Sequence, residues 1–217
     1  MLSLRLPHLA HHLPSIACSQ LACSQLDDSE PLKPTTVLEL GAGTGLLGLS
    51  FAALFRNCLV LLTDLPEIVP NLSRNVTANR DVVHMVGSTV AAKELDWETC
   101  PALPNDACVI DSPAVPKEHR YMIVLAADPI YSPLHPELLV RAVIVNLARS
   151  TQARFILELP IREAYKIQIY ELWNLLESVG LKIVEEGDEE GVDDWEDKNG
   201  ERVVVKAKWA IWRWKDI

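Results

Sequence analysis

Val37-Leu38-Glu39-Leu40-Gly41-Ala42-Gly43-Thr44-Gly45-Leu46-Leu47-Gly48 decides how the rest of the chain is read. Val37 to Leu40 read as a buried strand. Gly41, Gly43 and Gly45 form a turn, and Leu46, Leu47, Leu49, Phe51 and Leu54 open a helix. Glycines let a backbone reverse sharply and approach a ligand closely, and the new helix N-terminus offers unpaired N–H groups and a positive dipole end. Strand, turn and helix together build a site for a nucleotide-like ligand.

Two such ligands compete. Gly43-x-Gly45-x-x-Gly48 matches the dinucleotide fingerprint literally. Its frame does not fit, because the first glycine of that fingerprint ends the strand. Here Gly41 ends it, and Leu46 stands where the third glycine belongs. The next apolar run, Leu59 to Thr63, closes on Asp64, whose carboxylate can accept hydrogen bonds from ribose hydroxyls. NAD would use such an acid too, so Asp64 alone does not discriminate. Glu39 favours a cationic sulfonium, which suits a nearby acid and carries no pyrophosphate to neutralise.

Glu39 to Gly45, Leu95-Asp96-Trp97 and Asp128-Pro129-Ile130-Tyr131 together resemble the motifs of the seven-strand S-adenosylmethionine-dependent methyltransferases. The chain is most similar to the non-histone protein-lysine methyltransferases, notably the fungal branch that modifies translation elongation factors. The resemblance runs from about Leu4 to the C-terminus. It implies an α/β fold, a doubly wound, mostly parallel seven-strand sheet ending in an antiparallel hairpin. It implies S-adenosyl-L-methionine as cofactor, held by Glu39, Gly41, Ala42, Gly43, Gly45, Asp64, Leu65, Asp96, Trp97, Ala126 and Ala127. Trp97 would supply a flat apolar wall for adenine, and Asp96 or its neighbours' backbone would accept from the exocyclic amine.

Asp128 and Tyr131 are the expected catalytic pair. They follow a buried strand, Tyr121 to Ala126, at the end where doubly wound sheets place their sites. Methyl transfer to an amine is an in-line displacement, so a lysine must first lose its proton. Asp128 can hold the incoming ammonium and orient its lone pair, and Tyr131 can wall a cationic nitrogen. Most of the rate gain then comes from positioning. The bland alternative is that Asp128 caps the next helix and Tyr131 packs at its base. A related Asn/Asp-Pro-Pro-Tyr motif serves nucleobase and glutamine methylation; Ile130 in place of the second proline argues against a nucleobase.

Bulk composition narrows the partner. The 217 residues carry 30 Asp and Glu against 20 Lys and Arg, a formal charge of -10. Phosphate binding needs basic surface, so a nucleic-acid partner is not expected. Acidic surface favours a basic protein segment, an elongation factor by resemblance. Five cysteines at scattered spacings suggest reduced thiols in a cytosolic or nuclear setting, of which the cytoplasm is expected, and no apolar run is long enough for a membrane span. No metal ligand pattern stands out, and a monomer is expected.

Residues 1–34 read as an N-terminal helix and loop, and 35–217 as the methyltransferase domain. Leu2, Leu4, Leu6, Leu9 and Leu13 suit an apolar helix, and Ala17 to Leu26 repeats ACSQL in tandem. In the resembling family a Gly- and Trp-containing segment precedes this helix. Met1 falls where that segment should end, so the expectation is a fragment or a short form, and an inactive methyltransferase-fold protein stays open beside the enzyme. A NAD-type oxidoreductase is the third alternative.

Further elements follow from apolar spacing. A helix starts at Leu65-Pro66-Glu67 and carries Ile68, Val69, Leu72 and Val76 inward; Val82 to Val86 reads as the third strand. Lys93 to Glu98 is a loop, and Thr99 to Arg120 a proline-rich insertion. His135 to Ala148 and Ala164 to Val179 are helices, Arg154 to Leu159 and Leu181 to Val184 strands. Glu158 reads either as pointing towards the substrate or as an ion pair with Arg162, and His135 either as a proton acceptor or, more commonly, as an exposed first-turn residue. Glu185 to Glu201 is dense in acid and reads as a solvated loop or as a docking edge for a basic partner, before a last strand from Val203 to Trp214.

Overall fold

The computed structural model describes Leu6 and residues 33–101, 120–196 and 202–215. The rest of the expected N-terminal helix, most of the 99–120 insertion and the Asn199-Gly200 turn lie outside these residues.

The chain alternates strand and helix: β1 (Thr35–Leu40), α1 (Leu46–Leu54), β2 (Cys58–Asp64), α2 (Val69–Ala78), α3 (Arg80–Met85), β3 (Thr89–Glu94), β4 (Ile123–Ala127), α4 (His135–Asn146), β5 (Arg154–Pro160), α5 (Lys166–Ser178), β6 (Leu181–Glu196) and β7 (Arg202–Trp214). The sheet has seven strands in the order β3-β2-β1-β4-β5-β7-β6. β3, β2, β1, β4 and β5 run parallel, and β7 is antiparallel to both β5 and β6. This is the doubly wound sheet with an antiparallel end that the motifs implied. Strand order reverses between β1 and β4, and the crevice at that switch point is where open α/β sheets bind ligands.

Both faces of the sheet are covered, so its central strands are apolar almost throughout. Alternate residues divide between two cores. Leu38, Leu40, Val124, Phe155 and Leu157 face α4 and α5, against Leu139, Val143, Leu172 and Leu176. Val37, Val60, Leu62, Leu125, Ile156 and Ile211 face α1 and α2, with Phe51, Phe55 and Leu72. Each such side chain buried contributes about 1.5–3 kcal/mol. Leu6 is fully buried in this second core.

Four elements differ from the sequence expectation. Val82 to Val86 is no strand: α3 covers Arg80–Met85, burying Val83 and leaving Val82 and Met85 exposed. The third strand is Thr89–Glu94, an edge strand that pairs with β2 alone among the described residues, and its half-exposed TVAAKE lacks the apolar run expected of a buried strand. The helix expected from Leu65 begins at Val69, after a turn closed by Ile68 N–H on the Leu65 carbonyl. The acid-rich stretch after Val184 continues β6 as far as Glu196. Strand alternation puts Glu186, Asp188 and Glu190 outward, and Lys208 and Lys206 on β7 pair with Glu186 (3.0 Å) and Glu190 (3.2 Å). Gly187 lies under Trp209, whose ring would be 2.8 Å from any Cβ there.

Candidate active site

A cavity of about 520 Å³ opens at the carboxyl ends of β1, β2, β3 and β4. Its size falls within the range of small-molecule sites. The glycine turn forms one wall with Gly41, Ala42, Gly43 and Thr44, and the end of β2 adds Asp64, Leu65 and Ile68. The turn after β3 contributes Leu95, Asp96, Trp97 and Glu98. The β4 end and the start of α4 contribute Ala127, Asp128, Pro129, Tyr131, His135 and Leu138.

Asp64 fixes the glycine turn. Its Oδ2 accepts the Gly43 N–H at 2.7 Å and its Oδ1 the Leu65 N–H at 2.8 Å. Each oxygen retains a further lone pair. Gly43 has φ +55°, and a Cβ placed on it meets nothing within 4 Å, so the turn presents bare backbone to open space. A ligand can come as close there as the backbone itself allows.

Asp96 caps a short 3-10 turn, Trp97–Thr99: its Oδ1 accepts the Glu98 N–H at 2.9 Å, and its carbonyl accepts the Thr99 hydroxyl at 2.6 Å. That turn lays the Trp97 ring over Gly41, where a Cβ would lie 3.2 Å from Trp97 Cζ2. The His135 ring stands edge-on to Trp97 at 6.0 Å.

Asp128 sits in the left-handed region at φ +50°, unusual for a residue with a side chain. Its N–H donates to the Glu158 carbonyl at 2.8 Å. Its carboxylate receives both terminal nitrogens of Arg162, Nη1 on Oδ1 at 2.9 Å and Nη2 on Oδ2 at 2.7 Å, and the Tyr131 hydroxyl on Oδ2 at 2.7 Å. The guanidinium also lies 5.5 Å from the Tyr131 ring centre. Burial, then the bond to Asp128, pushes the Tyr131 phenol up to about 12, so it stays a donor. Tyr165 donates to the Tyr131 carbonyl at 3.1 Å, a second tie between the loops after β5 and β4. His135 is half-buried, its Nδ1 within 3.1 Å of the Tyr131 N–H and 3.0 Å of the Pro129 carbonyl; the tautomer decides which bond forms.

Ten of the thirteen sequence-chosen residues border this one cavity. Glu39, Gly45 and Ala126 do not. Glu39 lies behind the turn, its Oε2 accepting the Gly48 N–H at 2.9 Å, and burial raises its carboxyl from 4.5 to about 8. Its carboxyl, raised by burial, sits behind the turn and is not on the cavity wall. Gly45, at φ +81°, starts α1 with no room for a Cβ, which would lie 2.7 Å from Leu72 Cδ1. Ala126 is fully buried in the core. Arg162 joins Asp128, not Glu158. Thr44, Ile68, Glu98, Leu138 and Tyr165 were not assigned to the site from sequence, although Thr44 lies inside the glycine motif and Ile68 was read as an inward-facing helix residue. Among the described residues no group of three or more His, Cys, Asp or Glu side chains could hold a metal ion.

A family model for lysine methyltransferases matches residues 10–168, a span containing every wall of this cavity. The chain belongs to the lysine methyltransferase family. It is 40% identical over 197 residues to protein-lysine N-methyltransferase EFM2 of Saccharomyces cerevisiae, covering 83% of this chain and 43% of the relative. It is 30% identical over 177 residues to protein-lysine N-methyltransferase rrg1 of Schizosaccharomyces pombe, covering 82% and 54%. This family member thus spans about half the length of the curated relatives it matches. Among solved structures, precorrin-6y C5,15-methyltransferase from Geobacter metallireducens superposes with a TM-score of 0.54 at 13% identity, covering 95% of this chain and 87% of that one. M. jannaschii TYW2, solved in complex with AdoMet, gives 0.50 at 15% identity, covering 84% and 70%. At these identities the likeness is one of fold.

Proposed function

We propose that this lysine methyltransferase family member transfers methyl groups from S-adenosylmethionine to a lysine of a translation elongation factor. The observation that carries the proposal is the meeting of Asp64, Trp97 and Asp128 on one cavity, from three separate strand ends. The names of the yeast relatives support the reaction, and the acidic surface supports a basic protein substrate.

The residues present fit the cofactor. The Trp97 face takes the adenine, with Leu95 and the Asp96 backbone beside it, and the free lone pairs of Asp64 take the ribose hydroxyls. Gly41, Ala42 and Gly43 give the ligand backbone contact, with Leu65 and Ala127 beside them. When bound, the sulfonium supplies an electrophilic methyl group. Asp128 and Tyr131 then receive the lysine. A carboxylate has about four lone-pair sites. Three are taken by Arg162 and Tyr131, which leaves Asp128 one acceptor on Oδ1 to aim the amine. The Tyr131 ring walls the nitrogen as it becomes cationic.

Cys58 and Cys100 are buried free thiols, which supports a cytoplasmic site of action for a protein that works as a monomer. No described helix is long and apolar enough to cross a membrane. The test is transfer of labelled methyl from S-adenosylmethionine to purified yeast translation elongation factors, with the modified residue mapped by mass spectrometry. Label on lysine is the expected result. Cofactor binding with no transfer to any factor would favour a member that only binds partners.

A further inference from the structure

The loop that follows β5 brings a permanent cation to the acid of the site. Arg162 stands two residues beyond Pro160, and Ile161 N–H donates to the Lys206 carbonyl at 2.6 Å, which anchors the loop to β7. From there the guanidinium grips both oxygens of Asp128 and lies beside the Tyr131 ring. This arrangement bears on how a lysine becomes a nucleophile. Lysine ordinarily ionises near 10.4, and an unpaired carboxylate within about 4–6 Å holds it as ammonium, raising that value by 1–3 units. A site built of Asp128 alone would bind lysine well and leave it protonated.

We propose that Arg162 is a positioning residue that cancels the charge of Asp128, so that the acid aims the substrate lysine through one hydrogen bond without trapping its proton. The proposal rests on the methyltransferase reading above. The lysine ammonium loses its proton to solvent. Its lone pair then forms the N–C bond as the C–S bond breaks, the electron pair staying on sulfur. Arg162 enters only the first stage, by setting how much amine is neutral.

The neighbouring charges leave Arg162 as the partner of Asp128. On its own loop, Glu163 is paired with Lys166 at 2.6 Å. From β7, Lys206 is turned to Glu190 on β6. From β5, Glu158 offers Asp128 its backbone carbonyl, and from α4 His135 binds the backbone of the 129–131 loop. The Tyr131 hydroxyl donates to Asp128 and the Tyr165 hydroxyl to the Tyr131 carbonyl. Across the cavity, Asp64 and Asp96 are held by backbone N–H groups, and Glu98 lies on the far wall.

The pair is partly open to solvent, 43% at Arg162 and 30% at Asp128, so the low end of the range applies, about one pH unit. The experiment is the pH profile of kcat from pH 7 to 12, carried through the ordinary lysine ionisation near 10.4, with a saturating elongation factor, for the full chain and four variants. In Arg162→Gln the rising limb should move up by about one unit. Its rate would be roughly tenfold lower near pH 7.5 and close to wild type on the alkaline plateau. Arg162→Lys should restore the limb. Tyr165→Phe cuts the neighbouring tie without changing charge and should not move it. Asp128→Asn leaves the guanidinium uncancelled and should move the limb down, on a lower plateau; it also serves if Arg162→Gln does not fold. Calorimetry with S-adenosylhomocysteine should give the same affinity for wild type and Arg162→Gln. An Arg162→Gln rate reduced equally at every pH would make the contact a structural tie and overturn the proposal. A lower KM with an unmoved limb would also overturn it, by making Arg162 a competitor for the lysine's place. A wild type that binds no S-adenosylhomocysteine and transfers no methyl overturns the underlying reading instead.

Discussion

Replacing Glu39 by Gln should make the protein more stable, by an amount that grows with pH. Glu39 is buried beside α1, with its Oε2 on the Gly48 N–H. Burial raises its carboxyl from 4.5 to about 8. Below pH 4.5 the group is protonated in both folded and unfolded chains and costs nothing. Between 4.5 and 8 the unfolded chain has lost the proton that the folded chain keeps, so stability falls by about 1.4 kcal/mol per pH unit. Over the whole gap the loss is at most about 5 kcal/mol, and above pH 8 it is constant. Gln is neutral throughout, and its carbonyl oxygen can still accept from Gly48. Even half the bound, roughly 2.5 kcal/mol, would raise Tm by about 5–10 °C in a domain of this size. The assay is thermal or urea unfolding of wild type and Glu39→Gln from pH 5 to 9. The two should nearly coincide at pH 5 and diverge steadily towards pH 8, with S-adenosylhomocysteine affinity unchanged. A constant difference, or a wild type that gains on the variant as pH rises, would mean that Glu39 is ionised when folded and would refute the reasoning.

Gly48→Ala should destabilise the fold by about 1–3 kcal/mol in the same unfolding assay, because the new methyl meets Leu62 and lies 2.5 Å from Glu39 Oε2. Trp97→Ala removes the proposed adenine wall and should weaken S-adenosylhomocysteine binding by roughly tenfold to a hundredfold, about 1–3 kcal/mol, measured by calorimetry. Asp128→Ala should abolish methyl transfer to the elongation factor while cofactor affinity stays within about twofold. Full turnover by that variant would remove Asp128 from the chemistry.

The glycine turn was legible because its elements are local: a buried strand, glycines where φ is positive, and a helix within one window. Asp64 was legible because it ends an apolar run, and Trp97 and Asp128 because their motifs, Leu95-Asp96-Trp97 and Asp128-Pro129-Ile130-Tyr131, are local; strand order then carries all three to one edge. β3 was not, because an edge strand pairs on one side only and needs little apolar area; the denser apolar pair Val82-Val83 drew the reading to what is a helix. The acidic part of β6 looked like a loop because its charges are set by alternation and answered by Lys206 and Lys208, some twenty residues on. Arg162 was matched to Glu158 by proximity in sequence. Its actual partner lies 34 residues back, and the left-handed backbone of Asp128 that turns the acid toward it has no signature in the sequence.

In the proposed reaction a nucleoside sulfonium lies across the ends of β1 and β2 with its methyl group toward Asp128. The most direct measurement is calorimetric titration of the full chain with S-adenosylhomocysteine, with NAD as the control ligand and Gly43→Val as the control protein. Saturable binding of S-adenosylhomocysteine is the predicted result. NAD should give no heat, and the valine, forced into the bare space at Gly43, should abolish binding. Binding of NAD in place of S-adenosylhomocysteine, or an affinity untouched by Gly43→Val, would contradict it.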